Sequence, residues 1–365
     1  DGMVTEADLE LFDGRIARIA GRAELGDTTG TAVEVIDATG HLVTPGFVDI
    51  QINGGWGHDF TAEPTSIGAV AARLPQTGVT TFVPTIVTSP VERRTAAIAA
   101  LAAHEPGSGH ADPVGLHFEG PAIAAERRGA HDPEYIGVPT ADEIDTWADG
   151  KVRLVTLAPE LDGAIGVIER LVAQGVVVSI GHTACTSDQF AAARVAGASL
   201  VTHLFNAMAP FEHRSPGPIG ATLADPSVRA GLICDGIHAD PVAVRMAWRS
   251  LGPSRFVLVT DAMAALGADG ATARLATLDV TIGPDGVRLP DGTLAGSDLR
   301  LDRAIRNLVD MTGCSPAEAI TAATITPADA IELSDRGRIE VGTRADLVVL
   351  DADLVVRRTV IEGTT

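Results

Sequence analysis

Two histidines, His182 and His203, each follow a short apolar or β-branched run, residues 176–180 and 200–202, so each sits where a buried strand opens into a loop. Loops at the carboxyl ends of strands are where α/β proteins hold their ligands. A segment of helical composition, 186–197, with a Thr/Ser start and a glycine stop, lies between them. Imidazoles one strand-helix-strand apart can share a metal if their strands are neighbours in a parallel sheet. Taken singly, each is equally compatible with a hydrogen-bonded structural histidine. A catalytic zinc site uses about three protein ligands, so a third must come from another strand end. The ends of the other apolar runs offer Glu119, Asp235, His238 and Asp261. Glu119 with His182 and His203 makes a carboxylate-imidazole-imidazole set, which suits zinc or another divalent transition metal and leaves a position for water. Asp261 closes the wholly apolar run Phe256-Val-Leu-Val-Thr260. A bound divalent ion brings the pKa of water to about 7, so a neighbouring carboxylate need only collect the proton and hand it on. The plainer reading of Asp261 is a turn or helix cap.

These side chains converge only if the elements beneath them are arranged to bring strand ends together. Candidate strands fall at 48–52, 80–84, 114–119, 152–157, 176–180, 200–203, 229–233 and 256–260, with helical segments between them. In the segment 163–174, Ile165, Ile168, Leu171 and Val172 share a face. Eight strands with crossover helices predict an α/β fold of the (β/α)8 TIM-like barrel type rather than an open doubly wound sheet. After the eighth strand comes a Gly/Ala/Asp-rich stretch, 264–296, with hairpin signals at Pro284-Asp285-Gly286 and Pro290-Asp291-Gly292. Ser315-Pro316 and Thr326-Pro327 then read as capped helix starts. Both termini are strand-rich, including Val33-Glu-Val-Ile36 near the start and Asp346-Leu-Val-Val-Leu350 near the end. Each is too small for a core of its own. Residues 1–44 and 334–365 are therefore expected to form one small β-sandwich domain beside a catalytic barrel of residues 45–333.

The 365-residue chain is 45% hydrophobic and carries 27 Lys+Arg against 48 Asp+Glu, a net charge of -21. That balance opposes nucleic acid and anionic membrane as partners. An anionic ligand must then be caught by a local cluster. Cys185, Cys234 and Cys314 are few, odd in number and widely spaced, which points away from a disulfide framework and towards a reducing cytoplasm. No apolar run approaches the ~18 residues of a membrane span. There is no glycine-rich nucleotide loop.

Several segments in order carry a resemblance: Pro45-Gly-Phe-Val-Asp49, Gly115-Leu-His-Phe-Glu-Gly-Pro121, Gly129-Ala-His131, Gly181-His182-Thr, Thr202-His-Leu-Phe-Asn-Ala-Met208, Arg214-Ser-Pro-Gly217, Asp235-Gly-Ile-His238, Val259-Thr-Asp-Ala262 and Leu294-Ala-Gly-Ser297. The chain resembles the amidohydrolase superfamily and, within it, the family of N-acetylglucosamine-6-phosphate deacetylases. The resemblance implies metal ligation by Glu119, His182 and His203, with Asp261 as general base and then acid. It implies that His131 contacts the sugar and polarises the amide carbonyl. Asn206, the backbone at Ala207, and Arg214 would hold the phosphate, with Gly296 and Ser297 also at the substrate and His238 reaching across from a second subunit of a homodimer. The expected reaction is hydrolysis of the acetamide of N-acetyl-D-glucosamine 6-phosphate, in amino-sugar catabolism or cell-wall recycling, with one divalent ion per subunit, zinc ahead of iron, manganese or cobalt. Where many amidohydrolases carry His-x-His for a second metal, this chain has Gln51-Ile-Asn53. Amides are poor ligands beside imidazoles, so a single-metal site with a vestigial second position is expected. His58 and Cys185, close to these segments, read as a loop residue and a buried thiol, and Cys234 as packing. The alternatives are a deacetylase of the galactosamine epimer, a cyclic-amide hydrolase, and a non-catalytic sugar-phosphate sensor on the same barrel.

Overall fold

The computed structural model describes residues 5–21, 34–148 and 150–364. Eight parallel strands stand side by side in chain order: β1 (Phe47–Ile52), β2 (Val79–Val87), β3 (Leu116–Glu119), β4 (Val152–Leu157), β5 (Val177–Ile180), β6 (Leu200–Val201), β7 (Arg229–Ile233) and β8 (Phe256–Val259). Each consecutive pair shares a parallel register. The circle closes where the chain leaves β8: Asp261 N–H donates to the Gln51 carbonyl at 2.9 Å and Asn53 N–H to the Ala262 carbonyl at 2.6 Å. A parallel bridge between Ile52 and Ala262 marks this seam. The strands are buried on both faces, as parallel strands covered by helices must be.

The crossover helices follow their local signals with two adjustments. Ser187–Val195 starts on a full capping box, Thr186 with Gln189, and Pro316–Thr321 on another, Ser315 with Glu318. In Ala164–Ala173 the buried face is Ala164, Val167, Ile168 and Leu171. Ile165, partly buried, and Val172, exposed, lie outside that face, on which the sequence places them. The last helix runs Ile325–Ala330 with Thr324 before it. Thr326, expected as its cap, is inside the helix, its hydroxyl donated to the Pro253 carbonyl at 2.7 Å.

The ends of the chain meet beside the barrel. Leu42–Pro45 pairs antiparallel with Leu347–Leu350, which pairs with Val356–Val360. The hairpin Asp8–Phe12/Arg15–Ala20 joins them through Ile16 N–H to the Thr343 carbonyl and Gly342 N–H to the Ile16 carbonyl. Ile16, Ala345, Leu347 and Val360 form the shared apolar core. The strand expected at Val33–Ile36 is not formed over residues 34–36, and Val33 lies outside the described residues. The stretch after β8 is a third sheet, Thr272–Leu275, Leu278–Gly283 and Gly286–Arg288. Pro284-Asp285 turns the second strand into the third, and Pro290-Asp291-Gly292 makes a further turn closed by Leu289 N–H on the Thr293 carbonyl. Its apolar face packs on Met263, Ala264 and Ala265 and brings Leu275, Thr293 and Leu294 over the barrel mouth. No helix among the described residues is long and apolar enough to cross a membrane.

Candidate active site

Three side chains from three strand ends point at one another in the barrel mouth. Glu119 ends β3; His182 and His203 follow β5 and β6, and both backbones turn into the positive-φ region (+49° and +26°). Such turns, costly for residues with a Cβ, swing the imidazoles inward over the strand ends. His182 Nε2 lies 3.1 Å and His203 Nε2 2.9 Å from Glu119 Oε1, and the two nitrogens are 3.1 Å apart. All three residues are buried. His182 Nδ1 sits 2.8 Å from the Arg127 carbonyl. A carbonyl only accepts, so Nδ1 carries a proton, which leaves Nε2 as the ring atom aimed at the carboxylate oxygen and the one that would ligate a cation. Three ligand atoms within 4.8 Å of one another fit one divalent cation, with the Arg127 carbonyl as the outer partner that such histidines need. Burial alone would push the Glu119 carboxyl up; its contacts with His182 and His203 hold it well below the usual range.

Asp261, at the end of β8 with φ +49°, lines the same pocket. Its Oδ1 accepts from Asn53 Nδ2 at 2.8 Å and from Gln51 Nε2 at 3.3 Å. Gln51 Nε2 also donates to Glu119 Oε1 at 3.2 Å. The amide of Gln51 therefore bridges two carboxylates, and its N–H groups supply the positive edge that a second cation would supply in a two-metal site. Burial, then the nearby Glu119 charge, raise the Asp261 carboxyl to about 6, near the range useful to a group that must take and return a proton.

His131 lines the pocket with its Nε2 4.0 Å from Glu119 Oε2. The Thr88 backbone N–H donates to its Nδ1 at 3.3 Å, which makes Nδ1 the acceptor and leaves the proton on Nε2, facing the site. Burial, then the neighbouring His182, lower it to about 3, so it is a neutral donor. Sequence reasoning missed Thr88, whose hydroxyl is 2.8 Å from the same nitrogen. It also missed Asp49, which accepts from Thr260 Oγ1 at 2.6 Å at the barrel seam, and Glu160, which binds the loop after His182. Glu160 closes β4 as the other candidates close their strands, and that was the one available signal.

The remaining expectations divide. Asn206, Ala207, His238 and Gly296 line the pocket, a cavity of about 190 Å³. His238 lines the pocket of its own chain, its Nδ1 2.7 Å from Asp235 Oδ2 on the turn after β7. Ser297, expected at the substrate, is not among the residues lining the pocket; its hydroxyl donates to the Thr260 carbonyl at 2.6 Å and braces the strand end that carries Asp261. Arg214 is exposed on the loop 209–216 and is not among the residues lining its own chain's pocket. Cys185 is buried outside the ligand set, its thiol pushed up to about 12 by burial. Cys234 is buried and raised for the same reason. His58 is half exposed beside Glu63 at 3.7 Å.

An amidohydrolase family model matches residues 42–365. The chain is 40% identical over 353 residues to an N-acetylglucosamine-6-phosphate deacetylase of Bos taurus, covering 91% of this chain and 85% of that one. The solved N-acetylglucosamine-6-phosphate deacetylase of Thermotoga maritima superposes with a TM-score of 0.88 at 33% identity, covering 98% of this chain and 93% of that one. A Mycobacterium smegmatis structure of the same description, a mutant in complex with N-acetyl-D-glucosamine-6-phosphate, gives 0.87 at 35% identity over 98% of this chain and 93% of that one.

Proposed function

The chain belongs to the amidohydrolase family, and within it to the N-acetylglucosamine-6-phosphate deacetylases; from its site we propose hydrolysis of N-acetyl-D-glucosamine 6-phosphate to D-glucosamine 6-phosphate and acetate. The observation that carries this reading is the buried convergence of Glu119, His182 and His203 with Asp261 beside them. A divalent cation bound by the three would act as a Lewis acid, bringing the pKa of water to about 7 and polarising the acetamide carbonyl. We infer one such ion per subunit, with zinc favoured by the two imidazoles and one carboxylate; an amide-filled second position at Gln51 and Asn53 supports a single ion.

The protein's own groups then divide the work. Asp261 Oδ1 is taken up by Asn53 and Gln51, which leaves Oδ2 to receive the proton of the attacking water. As the carbonyl carbon gains that oxygen, the His131 Nε2–H donates to the developing oxyanion. Asp261 Oδ2 returns the proton to the amide nitrogen, the C–N bond breaks, and the amine leaves. Among the described residues, no arginine or lysine lines the pocket, so the phosphate needs an arginine from elsewhere. We infer a homodimer in which His238 acts within its own chain and Arg214 reaches a second copy's pocket. Exposed Phe211 on that loop, and exposed Val242 and Met246 on the helix Pro241–Leu251, support such a contact. Residues 45–333 would then be the catalytic unit and the two ends its supporting sheets. Free buried cysteines accord with a cytoplasmic setting.

The test is acetate release from N-acetylglucosamine 6-phosphate and from its galactosamine epimer, with elemental analysis of the purified protein. Asp261→Asn should keep the metal and lose about 10²–10⁴-fold in kcat. Parent-like turnover in that variant would overturn the assignment, and faster turnover of the epimer would reassign the substrate.

A further inference from the structure

His182 is held by a carboxylate that takes no part in the chemistry described above. Glu160 follows β4, and its two oxygens meet the two residues after His182. Oε2 accepts from Thr183 Oγ1 at 2.5 Å, and Oε1 accepts from the Ala184 backbone N–H at 2.6 Å. Thr183 is wholly buried and bonded on every side. Its hydroxyl accepts from Cys185 N–H at 3.0 Å. Its backbone N–H donates to the Ala207 carbonyl at 3.1 Å, and its carbonyl accepts from Ala209 N–H at 3.0 Å. A parallel bridge between Thr183 and Met208 records the same contact.

The loop gripped in this way has four non-glycine positive-φ residues in its neighbourhood: His182 (+49°), His203 (+26°), Phe205 (+82°) and Ala207 (+51°). Such a conformation persists only where its surroundings over-determine it. The loop after β6 carries the metal ligand His203 and the pocket residues Asn206 and Ala207. Thr183 fastens that loop to the one carrying His182, and Glu160 fastens Thr183 to the end of β4.

We propose that Glu160 is a positioning residue: through Thr183 it locks the metal ligand His182 and the substrate-contacting backbone at Ala207 into one rigid unit, so metal affinity and substrate affinity depend on the same carboxylate. The inference rests on the metal set and on the deacetylase reading for its second half only. Zn²⁺ affinity of the full chain, measured by competition with a chromophoric chelator, needs no substrate. Michaelis constants for N-acetylglucosamine 6-phosphate test the second half.

Glu160→Gln turns an amide N–H towards a donor, and Thr183→Val removes the hydroxyl at constant shape. Each should lower Zn²⁺ affinity by about 10–100-fold, the effect expected for outer partners of a metal ligand, and raise KM for the sugar phosphate several-fold. The double variant should lose little beyond the larger single loss, since both act through one contact. Thr183→Ser keeps the hydroxyl and should restore both affinities to near the parent values. Zn²⁺ affinity within twofold of the parent in both single variants overturns the proposal. So does a fall in the melting temperature of the metal-free protein with unchanged Zn²⁺ affinity, which would make Glu160 a structural brace alone. Should the parent release no acetate from this substrate, the deacetylase reading fails while the Zn²⁺ measurements still judge Glu160.

Discussion

Replacing Asn53 with leucine isolates one hydrogen bond to Asp261. Asn53 is buried, its Nδ2 donates to Asp261 Oδ1 at 2.8 Å and weakly to the Asp261 carbonyl at 3.5 Å, and its Oδ1 has no partner. Leucine has a similar shape and no donor, so the substitution removes that donation and leaves no new orphan on its own side. A hydrogen bond to a charged group contributes about 1.5–3 kcal/mol, and one pKa unit corresponds to about 1.4 kcal/mol. Loss of the bond therefore raises the Asp261 carboxyl by roughly 1–2 units. In the metal-free chain Asp261 already stands at about 6, raised by burial and by Glu119; a bound cation lowers the starting point and leaves the increment. The base works deprotonated, so activity is lost as pH falls through its pKa. The assay is kcat against pH from 5 to 9 at saturating metal. The acid limb of Asn53→Leu should move upward by roughly 1–2 units, with a fall of roughly 10-fold or more on the acid side and little change on the alkaline plateau. An unmoved limb with parent-like rates would refute the role of Asp261 as the base that this bond tunes. A uniform loss at every pH would place the effect in geometry instead.

Glu119→Gln should be purified without bound metal and release no acetate, as shown by elemental analysis and a single assay. Arg214→Ala should raise KM for the sugar phosphate by about 10–100-fold, the equivalent of one charge-assisted bond, and leave the slow turnover of unphosphorylated N-acetylglucosamine unchanged. Co-expressed with Asp261→Asn it should regain activity, because a mixed dimer would contain one complete site; absence of recovery would exclude the trans arrangement. Asp49 is raised to about 7 by burial against the donors Thr260 and Gln51. A carboxyl whose folded pKa lies above its unfolded value makes stability fall as pH rises through that window. The loss from about pH 4 to about pH 7 amounts to at most about 4 kcal/mol. Asp49→Asn, which mimics the protonated form, should therefore gain melting temperature over the parent progressively from pH 5 to pH 8.

Much of the barrel was legible one segment at a time. A short apolar or β-branched run that opens into a polar side chain reports both a buried strand and a site residue, and Glu119, His182, His203 and Asp261 all carry that signature. Capping boxes at Thr186 and Ser315 were legible for the same reason, since both partners lie within one turn. The metal set followed from the sequence because topology alone brings strand ends to one face. What the tertiary structure decided is everything that depends on a bond between distant segments. The proton on His182 is placed by a carbonyl 55 residues away, and the bonds of Asp261 come from amides 208 and 210 residues away. The Ser297 hydroxyl braces the strand end, His238 lines the pocket of its own chain, and Arg214 is exposed. Residue type and local period fix which side chains are available at a strand end. Which hydrogen-bond partner each one finds is a through-space contact with no local pattern to announce it, and in this site those partners set the tautomers, the carboxyl pKa values and the direction of each reactive group.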